Sequence, residues 1–105
     1  MTPEQKLRAT EFIQRLDLGA TTKERKNGFT LIDRRRQFGF IRFNIAGPNM
    51  GKYSAYVLVN EFDDPRKRFV LQKNGGRPHY IFKFSPDNEE NARYTVSVLR
   101  SAYSA

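Results

Sequence analysis

The spacing of apolar residues switches twice along the chain, from helical to alternating and back to helical. Leu7, Ala9, Phe12, Ile13 and Leu16 give one apolar side at helical spacing. Thr2-Pro3-Glu4-Gln5 just ahead is a complete start signal, with Thr as N-cap, Pro at the first helical position and Gln three residues after the cap. With Gly19 as the stop, the pattern predicts a helix near 3–17. Residues 20–28, ATTKERKNG, read as a polar connector. Alternation then predicts five strands, at 29–33, 37–45, 53–62, 67–73 and 79–84. Turn chemistry separates them in GPNMG (47–51), DDPR (63–66) and NGGRP (74–78). Around 34–36 the first two strands could instead run on as one long bent strand. Ser85-Pro86-Asp87-Asn88 opens a second helix near 86–103, with Ser as cap and acids in the first turn. Ala92, Val96, Leu99 and Tyr103 form its inward stripe.

At 105 residues the chain is long enough for one modest core, and no repeat or linker divides it. The links between strands are too short for crossovers, so pairing is antiparallel. The expected class is α+β: an N-terminal helix, a four- to five-stranded, mainly antiparallel meander sheet and a C-terminal helix, in a single domain spanning 1–105. Two amphipathic helices flanking one sheet can both pack on one face and leave the other open to solvent.

One strand carries more aromatic surface than such a sheet needs. In RQFGFIRF (36–43), strict alternation puts Arg36, Phe38, Phe40 and Arg42 on one face and Gly39, Ile41, Phe43 and Ile45 on the other. The second set reads as core. The first is two phenyl rings bracketed by cations, which suits a stacking platform for nucleic-acid bases. A central strand buried on both faces is the competing explanation, since it too would be rich in phenylalanine.

The same eight residues resemble the ribonucleoprotein octamer of RNA-recognition motifs, which runs basic residue, Gly, aromatic, Gly or Ala, Phe, aliphatic, any residue, aromatic. Arg36, Phe38, Gly39, Phe40, Ile41 and Phe43 fit, whereas Gln37 stands where glycine is expected. The stretch is also similar to the aromatic GFGFI strand of cold-shock domains, and AYVLVN at 55–60 faintly resembles their second aromatic strand. The resemblance implies that Phe38 and Phe40 stack on bases. The rest of the chain follows neither family, so it implies no fold.

Charge extends the picture. The net charge is +8, with a sequence pI of about 10.1. Residues 1–18 sum to zero and 86–105 to −1, whereas 19–85 hold fourteen Lys and Arg against five Asp and Glu, or +9. Excess charge confined to the strand region is the expected footprint of a polyanion site. Arg34 and Arg35 precede the octamer, Arg66, Lys67 and Arg68 follow a turn, Lys73 and Arg77 flank the glycine turn, and Lys52 borders another. Such loop cations grip phosphates. Arg42 and Lys83 lie mid-strand, where a cation without a partner is less expected.

Other chemistry is sparse. Without cysteine and with one histidine, His79, neither disulfides nor a thiolate or histidine metal centre is expected, and no cofactor motif occurs. Asp63-Asp64 reads as a turn rather than a metal pair. No apolar run is of transmembrane length and the N-terminus has no signal-peptide core, so the expected location is the cytoplasm, or the nucleus in a eukaryote. The favoured function is therefore binding of nucleic acid, RNA or DNA, single-stranded in preference, with His79 among the contacts. The alternatives are a protein-binding module or inhibitor acting on a nucleoprotein machine, of the phage counter-defence kind, and a metal-independent ribonuclease using His79.

Overall fold

The computed structural model describes residues 2–17, 21–34, 36–73 and 76–104. Gly19, Ala20, Arg35 and the 74–75 step, all used in the sequence-based expectations, lie outside the described residues.

Helix α1 (Pro3–Arg15) begins as its sequence predicts. Thr2 accepts from the Gln5 backbone, and the Gln5 side chain accepts from Thr2 in return, closing a capping box. Asp17, at φ 42, takes the left-handed conformation after the last turn, which aspartate tolerates better than most residues. Ala9, Phe12, Ile13 and Leu16 are buried, but Leu7 is exposed and does not join the stripe.

Among the described residues six strands follow, not five: β1 (Thr21–Arg25), β2 (Gly28–Asp33), β3 (Arg36–Phe43), β4 (Tyr53–Val57), β5 (Val70–Gln72) and β6 (His79–Phe84). The polar connector is in fact edge strand β1, antiparallel to β2 from Thr21↔Ile32 to Arg25↔Gly28. Edge strands are commonly kept charged to block further pairing, so β1 shows no apolar alternation. The third and fourth predicted strands shorten to β4 and β5, and Ile45 lies past the end of β3, exposed. All pairs are antiparallel, in the order β1-β2-β3-β4-β6-β5. The meander breaks once, where β6 enters between β4 and β5.

Helix α2 (Glu89–Ser104) starts three residues later than predicted. Its cap is Asn88, whose side chain accepts from the Asn91 backbone at 3.0 Å, while Ser85 closes the preceding turn. Ala92, Thr95, Val98, Leu99 and Ala102 are buried, with Val96 and Tyr103 at the margin. Phe12 of α1 packs on Tyr53 and Phe84, and α2 packs Tyr94 on Phe82 and Tyr103 on Phe38. Register puts Tyr53, Phe82 and Phe84 on one side of the sheet, together with Phe29, Leu31, Ile41, Phe43, Ala55 and Val57. Both helices therefore cover the same face, and the opposite face is open.

Several polar contacts tie the long connection from β4 to β5 to α2, and Asp64 is at their centre. Asp64 accepts from the Arg68 and Phe69 backbones at 3.1 and 2.9 Å and from the Tyr94 hydroxyl. Burial, then donation to Asp64, pushes the Tyr94 phenol above its ordinary pKa. Arg66 and Arg68 pair with Glu90 at 2.6 and 3.6 Å and lie over the Tyr94 ring. Held mainly by its hydrogen bond from Arg66, Glu90 titrates below the usual carboxylate range. Asp64→Ala leaves two backbone donors and the proton of the Tyr94 hydroxyl without their acceptor, although that hydroxyl still accepts from the Arg66 backbone, so a loss of ~2–3 kcal/mol is expected in urea unfolding. A midpoint unchanged from the parent protein would show the carboxylate to be dispensable.

Candidate nucleic-acid interface

The open face is set by a bulge in β3. Leu31 faces Gly39, but the next β2 residue, Ile32, faces Gln37, so Phe38 is one residue extra on β3. Phe38 and Gly39 are both buried as a result. Strict alternation had placed Phe38 beside Phe40 on the open face. The correction is complete: Phe38 is 0% exposed, beneath the sheet against Tyr103, with ring centroids 5.7 Å apart. The slip reassigns everything before it as well. Gln37 moves onto the open face, and Arg36, opposite Asp33, moves off it. Of the two stacking positions implied by the octamer resemblance, Phe40 alone is on the open face.

Phe40 has one ring neighbour that the sequence did not identify, and through it meets His79, which the sequence did. Its register partner is Tyr56 on β4, at a centroid distance of 5.9 Å, and Tyr56 in turn lies 5.3 Å from His79 on β6. These three rings, half-buried, share a shallow depression of about 280 Å³ with Gln37, Arg42 and Leu58. Room for the Phe40 ring comes from Gly28 on the neighbouring strand, where a Cβ would stand 3.0 Å from the Phe40 ring. The His79 Nδ1 is 3.1 Å from the Arg77 carbonyl oxygen, which can only accept, so Nδ1 carries the proton and donates.

Cations surround the rings. Lys23, paired with Thr30, belongs to the row of Phe40 and Tyr56; Arg25, Arg42 and Lys83 belong to the row beside it. Arg25 donates to Thr30 at 3.1 Å, satisfying a buried hydroxyl and steadying its own guanidinium. Strand carboxylates go the other way. Glu24 and Asp33 occupy the alternate positions, on the helix side, where Glu24 meets Lys6 at 3.0 Å. Among the described residues, every ion pair involves a helix residue, and Lys23, Arg42 and Lys83 take part in none.

The remaining sequence candidates scatter. Arg34 is exposed at the β2–β3 turn with φ 48, an uncommon conformation for arginine. Arg77 donates to the Leu58 carbonyl at 3.2 Å, at the border of the depression. Lys73 is exposed just past β5. Lys52 lines a different cavity, of about 240 Å³, with Gln5, Arg8 and Asp87. Arg66 and Arg68 face α2, engaged by Glu90 and Tyr94, and Lys67 sits exposed in the same loop at φ 51. Thus Phe40, Arg42, His79 and Lys83 are brought together, and Lys23, Arg25 and Tyr56 are added. The period-two placement of Lys23 and Arg25 within TTKER was the signal available for the first two.

Compared with models of known families, with curated proteins and with solved structures, the chain matches none. Among the described residues, no helix is long and apolar enough to cross a membrane.

Proposed function

We propose that the protein binds nucleic acid through the open face of its sheet, single strands in preference to duplex. The observation that carries this is the sorting of charge by face: Lys23, Arg25, Arg42 and Lys83 on the open side around Phe40, Tyr56 and His79, and both strand carboxylates on the other. Cations hold phosphates whatever the sequence, and rings stack on any base whose face is free. A duplex hides those faces, which is why single strands are preferred. Fluorescence polarisation against single-stranded RNA, single-stranded DNA and duplex tests it. Micromolar or tighter binding is expected at about 50 mM salt, weakening steeply by about 200 mM. No binding to any of the three at the lower salt would refute it.

A further inference from the structure

Antiparallel partners project to the same side of a sheet, so register arranges the open-face side chains in rows running across the strands. One row reads Arg25, Gly28, Arg42, Ser54 and Lys83. Its two intervening positions are a glycine and a serine that is 1% exposed, so no bulky side chain stands between the cations. The neighbouring row, two residues along each strand, carries Phe40 and Tyr56, and His79 adjoins Tyr56. At about 4.8 Å per strand, Arg25 and Lys83 stand roughly 19 Å apart, and the aromatic row runs roughly 7 Å to one side. A line of positive charge beside a shelf of rings matches a polymer with charge along one edge and flat bases along the other.

Resting on the nucleic-acid reading of this face, we propose that it takes a short single-stranded segment, about three or four nucleotides, laid across the β-strands. The phosphates lie along Arg25, Arg42 and Lys83, and the bases lie on Phe40, Tyr56 and His79. Direction matters here. A nucleotide chain running along β3 would meet Arg42 and Phe40 but would leave Arg25 and Lys83, on strands to either side, without a phosphate.

Oligothymidylates of about two to ten nucleotides, titrated by polarisation at several salt concentrations, separate these arrangements. Affinity is expected to climb to about four nucleotides and then flatten, with a log–log salt slope near −2 for three phosphate contacts. Arg25→Gln, Arg42→Gln and Lys83→Gln should each reduce that slope by about 0.7 on the tetranucleotide. Arg93→Gln, which removes the same charge from the helix side, should leave it unchanged. Tyr56→Leu should weaken the tetranucleotide by about fivefold to a hundredfold at every salt concentration, with the slope retained. Circular dichroism of each variant confirms that the fold is kept. Affinity still climbing at ten nucleotides, or silence of both Arg25→Gln and Lys83→Gln on a tetranucleotide that binds, overturns the crosswise placement and leaves binding by this face standing. Failure of the parent protein to bind any length overturns the binding itself.

Discussion

Phe38→Ala is expected to lower stability by ~3–5 kcal/mol, because a wholly buried ring against Tyr103 is replaced by a cavity. For a domain of this size the melting temperature should fall by more than about 12 °C. Phe40→Ala, two residues away, should behave in the opposite manner. Its ring is half-buried on the open face, so the melt should move by about 1 kcal/mol or less, and single-strand binding should weaken by about 1–3 kcal/mol. Melts of the two variants beside titrations test the bulge directly. Equal losses of stability would place both rings in the core and remove Phe40 from the interface.

Gly28→Ala should be as damaging as losing Phe38, though it adds only one methyl group. A Cβ at residue 28 would lie 2.0 Å from the backbone oxygen of Ile41 on the adjoining strand. No side-chain rotation relieves a clash with backbone, so the β2–β3 ladder itself must shift. Phe40, 3.0 Å from the same Cβ, would be displaced with it. A loss of at least ~3 kcal/mol is expected against a total of roughly 5–15 kcal/mol, beyond the usual cost of overpacking. A urea midpoint within error of the parent's would mean that β2 and β3 approach less closely than described. Gly39 is a milder case, with its nearest contact at 3.1 Å.

Local signals predicted what is local. The Thr2–Gln5 box gave the first helix its start, and the stripes of both helices pointed to one covered face. What escaped depends on neighbours. Nothing in Gln37-Phe38-Gly39 marks the extra residue, since a bulge is defined by the strand opposite, and counting through it misplaced Phe38 and Arg36 together. Strand β1 carries the charges of an edge, so a search for apolar alternation passes over it. Tyr56 became a neighbour of Phe40 through register alone. Arg66 and Arg68 looked like further phosphate ligands because charge type says nothing about side, and Glu90, which claims them, lies more than twenty residues on.

The sorting of charge across the sheet also acts at a distance. With the terminal helical segments near neutrality, four strand cations on the open face and both strand carboxylates on the other make the open side of the sheet the more positive in its strand charges. These strand charges contribute a dipole component normal to the sheet, on which an external field exerts a torque. Near an extended negative surface that torque favours presenting the rings first and keeping the helices behind. This orienting range is the Debye length, about 10 Å at 0.1 M salt and 30 Å at 0.01 M. If the open face binds nucleic acid as proposed, added salt should therefore slow productive encounter in addition to weakening the contacts made afterwards.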